Sequence, residues 1–401
     1  MQVSNYVKPT LHLIGLFHTI CDDSFSHCAY TGKVLRFPKM MKMYDYRVIE
    51  YSNGTSMSEA DEKVQILTED ELDSYTHYKT EDQATFVGNH AVINTPHWDL
   101  FDKRLIVELS RRVKVNDIIC HTFGSIHPLL VKIFPLQFHV ETGIGYGDGD
   151  FGCFRIFESL AWMHYHQGKE QRWGLHYEFV VPNYYDLTHW TPRYDDSDYS
   201  VTNSTTVEAD NEPKNYLVFI GRLDRCKGLY DIRDLVDRIN EPIYLYGQGN
   251  YEEFKHEKLI YKGVLRGKER DKVLRNAKAY IIGSLYIEAF AGAAVEAMLC
   301  GTPVIATTYG AFTETVEHGK TGYLCHTMGD MVEATKRVGS LDRRYIAERA
   351  RRLYSLQTCG ARYDQIFHQI SEIRQDGIGD KGWYSLTHYL DRHQHSEEAT
   401  H

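Results

Sequence analysis

Between Leu285 and Thr307 the chain passes through a stretch of small residues flanked by carboxylates, stopped by glycine and proline, and followed by an apolar run. Residues 291–299 contain few bulky side chains and read as a helix. Gly301 and Pro303 end it, and Val304, Ile305, Ala306 and Thr307 read as a buried strand. Glu288 falls just before this helix, near its positive end, and Glu296 lies about a turn and a half inside it. A helix so poor in large side chains lets a phosphate come close to its first N–H groups. Two carboxylates beside such a phosphate site suit a ligand that carries both phosphate and hydroxyls, as a sugar nucleotide does.

The rest of the chain repeats the same αβ rhythm. Strands are expected at 11–16, 47–51, 117–120, 136–140 and 179–181. Helices are expected at 31–44, where Pro38 should kink or restart the helix, at 98–113 and at 154–166. Residues 52–89 are polar and weakly periodic, so a variable excursion with little regular structure is expected there. Alternating strands and helices imply a parallel sheet covered on both faces. Residues 191–215 break the rhythm with Asp, Ser, Thr and Asn and read as a linker. This divides the chain into a first domain at 1–190 and a second at 216–375, with a tail at 376–401. In that tail 383–390 reads as a short amphipathic helix.

The second domain opens with an apolar run that ends in Gly221, followed by Arg222 and, five residues later, Lys227 and Gly228. Ligands of open αβ sheets bind at such carboxyl ends of strands. An arginine there can grip a phosphate through two parallel hydrogen bonds, and a lysine adds a point charge. Gly247, in a glycine turn after another strand, allows close backbone approach. Val264 and Leu265 follow a strand-like run at 259–262. In the first domain, His139 and Glu141 share one face of a strand and precede Gly143 and Gly145, so either can reach a cleft or cap the next element.

These motifs resemble, in order, those of the retaining glycosyltransferases of the GT-B fold, especially glycosyltransferase family 4. The Glu288–Glu296 spacing is similar to that family's Glu-x7-Glu motif, and Gly221 to Gly228 to its Gly-Arg-Leu-x3-Lys-Gly motif. Val180 to Asp186 resembles the segment that ends the first domain. The resemblance spans about 138–325 and is weaker before 115. Ala289 and Ala291 stand where relatives often have Pro and Gly, and Gly15 opens an altered first loop.

The resemblance implies an α/β protein of two Rossmann-like, doubly wound domains facing across a cleft, with the C-terminal helix crossing back to the first domain. It implies a nucleotide-diphosphate sugar donor, UDP- or GDP-linked, and no required metal or other cofactor. Arg222 and Lys227 then hold the diphosphate, Glu288 the donor-sugar hydroxyls and Glu296 the ribose. Gly221, Gly247, Val264, Leu265, Phe290, Ala291 and Gly292 complete the donor site. His139 or Glu141 is the candidate beside the reacting carbon.

Three other clusters read as decoys. Asp148 and Asp150 have an Asp-x-Asp form but lack a preceding strand. His18, Cys21, His27 and Cys28 lack zinc-finger spacing. His164 and His166 read as packing and surface residues. The 401 residues carry a formal charge of −10, which disfavours nucleic acid as an overall partner. Eight scattered cysteines, no signal-type N-terminus and no run long enough to span a bilayer suggest a cytoplasmic protein. The sequons at Asn53 and Asn203 then read as chance matches. The expected acceptor is a saccharide or glycan. Lys33, Arg36, Lys39 and Lys42 recur at three-residue steps, either as a solvated helix face or as a basic edge for DNA with hydroxylated bases. A GT-B epimerase and a non-catalytic nucleotide-sugar-binding protein are the remaining readings.

Overall fold

The computed structural model describes residues 8–22, 25, 28–79, 91–147, 154–174, 177–194, 215–265 and 267–373. The first domain is built on seven parallel strands: β1 (Leu11–Ile14), β2 (Val48–Ser52), β3 (Glu62–Gln65), β4 (Ile118–His121), β5 (Phe138–Ile144), β6 (Phe154–Phe157) and β7 (Glu178–Val180). Their order is β3-β2-β1-β4-β5-β6-β7. The second domain has six: β8 (Leu217–Ile220), β9 (Ile243–Tyr246), β10 (Leu259–Tyr261), β11 (Ala279–Ile282), β12 (Val304–Thr307) and β13 (Gly322–Cys325), ordered β10-β9-β8-β11-β12-β13. The central strands are buried along their length, as expected of parallel sheets covered by helices on both faces. In each sheet the strand order reverses beside its first strand, between β1 and β4 and between β8 and β11. Those reversals open the crevices in which αβ sheets hold ligands.

Several expectations change once the chain is folded. Residues 154–166 do not form one helix. Phe154–Phe157 is a central strand, and the helix starts at Leu160, after Ser159 accepts a hydrogen bond from Trp162 N. Within 52–89, β3 pairs with β2, and a helix at Glu69–Thr76 begins with a capping box of Thr68 and Glu71. Four acidic residues within six hid that helix, although acids in a first turn are favourable. Pro38 does not interrupt the first helix, Ala29–Lys42.

One return to the first domain is made ahead of 383–390. Helix Leu356–Glu372 already packs there, placing Leu356, Cys359, Tyr363, Phe367 and Ile370 in one core with Leu11, Val34, Phe37 and Met40. Residues 374–401, including the expected tail helix, lie outside the described residues, as does most of the expected linker. The returning helix lies so close to Ala29–Lys42 that a Cβ on Gly360 would stand 2.5 Å from a Tyr44 ring carbon and 3.0 Å from Met40 Cγ. Gly360→Val should therefore wedge the two helices apart. We expect a loss of about 1–3 kcal/mol, read as a lower midpoint in urea or thermal unfolding. An unchanged midpoint would show that the contact contributes little.

Candidate active site

The two sheets face each other across a cavity of about 380 Å³ lined by both domains. On the second-domain side, β8 runs into Gly221 and Arg222 and then into a short turn, Arg225–Lys227, capped by Asp224. Gly228 closes that turn at φ 71°, and a Cβ there would lie 1.9 Å from the carbonyl oxygen of Gly283. Only glycine lets the turn press against the end of β11, and this aims Lys227 at the segment following that strand.

That segment presents Ser284, Tyr286 and Glu288 at alternate positions. Glu288 is buried, and its carboxylate gathers three partners. Lys227 Nζ lies 2.7 Å from Oε1, Tyr286 donates to Oε2 at 2.7 Å, and the Ser284 hydroxyl donates to Oε1. Lys227 also donates to the Tyr286 hydroxyl and sits over its ring. Burial and the Glu288 carboxylate push the Tyr286 phenol well above its ordinary range, so it stays a donor. Arg222 stands at the mouth with 66% of its side chain exposed and Asp224 at 3.9 Å.

Helix Gly292–Leu299 starts in the cavity, with no acid in its first turn and no side chain capping it. Its N-cap, Ala291, adopts φ 64° and ψ 55°. Glu296, on the same helix, takes Arg270 Nε and Nη2 at 2.5 Å each on one oxygen. Burial raises the Glu296 carboxyl, and Arg270 and Arg36 pull it back.

All the second-domain residues picked from the sequence therefore meet around one cavity: Gly221, Arg222, Lys227, Gly247, Val264, Leu265, Glu288, Phe290, Ala291, Gly292 and Glu296. The first-domain choices do not join them. His139 is buried in the sheet, between His121 Nε2 at 3.0 Å and the carbonyl of Phe134 at 3.0 Å. Glu141 is fully buried, accepts from Tyr146 at 2.9 Å and lies 4.0 Å from Arg155. Neither is among the described residues that line the cavity. The strand alternation placed them on a common face, but β4 and β6 flank that face inside the sheet.

The first-domain wall includes Tyr30, Gly32, Arg36, Gly145, Glu158, Trp162, Asn183 and Tyr185. Arg36 lies over the Tyr185 ring at 5.4 Å. The expected basic edge is not a free one. Lys33 is 2% exposed and contacts Glu158, Lys39 lies 2.7 Å from Asp186, and Lys42 lies 3.5 Å from Asp61. Two contacts hold the walls together near Glu288. Ser159 Oγ donates to the carbonyl of Ala289 at 2.7 Å. Leu160 and Ala161 N–H donate to the Glu314 carboxylate at 3.0 and 2.8 Å.

Ser284, Tyr286 and Arg270 were missed in the sequence. The two-residue spacing of Ser284, Tyr286 and Glu288 was a usable signal; Arg270 offered none. Among the described residues no group of three or more His, Cys, Asp or Glu can hold a metal ion, and no helix is long and apolar enough to cross a membrane. Asp148, Asp150 and His27 lie outside the described residues. His18 is buried against the Phe17 and Phe123 rings, His164 is exposed, and His166 is buried with Nε2 3.0 Å from the Tyr146 carbonyl.

Comparison with known proteins agrees with this architecture. Residues 202–352 match the family described as glycosyl transferases group 1. An uncharacterized glycosyltransferase of Methanocaldococcus jannaschii is 28% identical over 124 residues, which is 28% of this chain and 32% of that protein. Sucrose synthase 2 of Zea mays is 26% identical over 168 residues, 34% of this chain and 21% of that protein. The chain thus spans about a third or less of the length of these relatives.

Among solved structures, the sucrose-phosphate synthase of Thermosynechococcus elongatus has a TM-score of 0.64 at 14% identity, covering 90% of this chain and 99% of the other. The Anabaena protein HepE, in complex with UDP and glucose, has a TM-score of 0.60 at 13% identity, covering 90% and 100%. The fold is that of the GT-B glycosyltransferases.

A left-handed backbone costs a residue with a Cβ roughly 1–2 kcal/mol, and glycine gives part of that back through its freer unfolded state. Ala291→Gly should raise stability by up to about 1 kcal/mol. Denaturant unfolding of the variant checks this, and a destabilised variant would mean that the Ala291 methyl contact outweighs the strain.

Proposed function

We propose that this chain, which has the GT-B fold and matches glycosyl transferases group 1 over residues 202–352, is a retaining glycosyltransferase. It moves a sugar from a nucleotide-diphosphate donor to a hydroxyl acceptor, most simply a saccharide. The observation that carries this reading is the pairing of Lys227 with Glu288 beside the bare N-terminus of helix Gly292–Leu299, with Glu296 further along the same helix. A diphosphate fits the cations and the helix N-terminus, and hydroxyls fit the two carboxylates. That the similar Anabaena protein is described with UDP and with UDP-glucose supports a UDP-sugar donor.

In this reading Arg222 and Lys227 meet the negative charge that grows on the departing diphosphate. Lys227 turns from Glu288 toward phosphate, which frees a Glu288 oxygen to accept from donor-sugar hydroxyls. Tyr286 and Ser284 keep that carboxylate in place. Glu296 accepts from the ribose hydroxyls once Arg270 shares it. The helix N-terminus and the two cations supply the charge that other transferases take from a metal, so activity should persist in chelator.

A screen of UDP- and GDP-sugars by product mass tests the activity. It also separates transfer from epimerisation, which interconverts sugar isomers, and from binding alone. Arg222→Ala and Lys227→Ala should each weaken nucleoside diphosphate affinity about tenfold or more, the value of one hydrogen bond to a charged group. Calorimetric titration measures this, and unchanged affinity in both variants would remove the site assignment. Glu288→Gln should lower kcat more than nucleotide affinity, while Glu296→Gln should chiefly weaken nucleotide binding. Wild-type kinetics in both carboxylate variants would leave the spacing as a mark of the fold alone.

A further inference from the structure

Glu158 is the carboxylate that the first domain brings to the cavity, and none of the roles assigned above uses it. It follows β6 directly and precedes the helix N-cap Ser159. Its side chain is 6% exposed. One oxygen, Oε1, contacts Lys33 Nζ, and Lys33 is itself fixed by the Gly143 carbonyl at 2.8 Å and by the Tyr30 ring at 4.5 Å. No hydrogen bond to Glu158 Oε2 is found among the described residues, and the residue lines the cavity.

The backbone makes room for this carboxylate. A Cβ on Gly145 would sit 2.5 Å from the carboxyl carbon and from both oxygens. Gly145 is thus a notch into which the carboxylate is set. The place is close to the donor side, because the next residue, Ser159, donates to the carbonyl of Ala289, the neighbour of Glu288.

A buried ion pair is weak evidence of stabilisation, because desolvating both charges offsets most of their attraction. Here burial, with the Arg36 guanidinium adding to it, pushes the Lys33 ammonium down to about 7. An apolar pair of the same size would fill the wall with less cost. A carboxylate that lines a cavity and keeps one oxygen without a hydrogen bond among the described residues is instead suited to accept from hydroxyls. It is poorly suited to face a phosphate or a carboxylate.

We propose that Glu158 is the acceptor-hydroxyl contact of the first domain: its Oε2 accepts a hydrogen bond from a hydroxyl of a polyhydroxyl acceptor and holds it toward the donor sugar at Glu288, with Lys33 as its positioning residue. The proposal rests on the glycosyltransferase reading of the same cavity. It assigns the acceptor side to Glu158 rather than to His139 or Glu141, which are packed inside the sheet.

The test uses the full chain, the sugar nucleotide returned by the donor screen, and glycerol as the polyhydroxyl acceptor probe. Glu158→Gln keeps the side chain's size and removes its charge. It should slow donor consumption at saturating donor by about tenfold or more, the effect of losing one positioning contact, while nucleoside diphosphate affinity and the unfolding midpoint stay near wild type. In Glu158→Ala, added formate should restore part of the rate by placing a carboxylate in the vacated notch, which a purely structural role would not allow.

Wild-type turnover in Glu158→Gln overturns the proposal and leaves the donor reading standing. A fall in turnover matched by an equal fall in nucleotide affinity also overturns it, since Glu158 would then serve the donor. A wild-type chain that binds neither UDP nor GDP and consumes no sugar nucleotide removes both readings together.

Discussion

The helix Leu356–Glu372 governs how the two sheets meet. It leaves the second domain at Ser355, where Tyr185 N donates to Tyr354 O and Leu356 N donates to Tyr185 O, so both chain crossings run side by side. Its apolar face then completes the first core against Phe37, Met40 and Leu11. Two crossings knit at one point leave the domains few ways to face each other. The helix it packs against, Ala29–Lys42, also carries Arg36 to the cavity and Lys33 to Glu158. The packing of a distant C-terminal helix and the placing of the first-domain wall are therefore one constraint.

Charge is arranged around the cavity on a single plan. Each carboxylate that faces it has a cation of the chain beside it: Glu158 with Lys33, Glu288 with Lys227, and Glu296 with Arg270. Left unpaired, a charge in such a site would cost several kcal/mol. Paired, the side chains are held in place for partners that exchange with them. A ligand with phosphates at one end and hydroxyls at the other can take the cations and the carboxylates separately. A purely anionic ligand or a purely neutral one would leave half of these groups without a replacement partner.

The second-domain half of the cavity was legible in the sequence because its parts are local. Arg222 and Lys227 lie in one turn, and Glu288 and Glu296 flank one short helix, so spacing alone carries the geometry. The first-domain wall was not legible, since Tyr30 and Arg36, Gly145, Glu158 and Asn183 come from four separate elements. Glu158 was hidden by reading 154–166 as one helix, in which it would be a mid-helix acid rather than the end of a strand. His139 and Glu141 were chosen because they share a strand face. In a sheet covered on both sides that face is packed, and β4 and β6 complete the enclosure. The packing of 356–372 on the first core was not legible because it continues the helical rhythm of the second domain.

The cations of the first helix do not form a free surface. The lysines and arginine of the first helix recur at three-residue steps, which on an isolated helix would form a continuous basic stripe. The fold breaks that stripe residue by residue. Lys33 turns inward to Glu158, Arg36 packs on Tyr185, and Lys39 and Lys42 are drawn to Asp186, Glu59 and Asp61. Phosphate backbones are held by cations free to replace released counterions, and three of these four side chains already have carboxylate partners. A protein of net charge −10 has no general attraction to compensate. What the wall does offer is a carboxylate set in a glycine notch, an amide at Asn183 and the hydroxyl-bearing rings of Tyr30 and Tyr185. Those groups exchange hydrogen bonds with hydroxyls, and on that ground the first-domain wall of this cavity suits a hydroxyl-bearing ligand better than a polyanion.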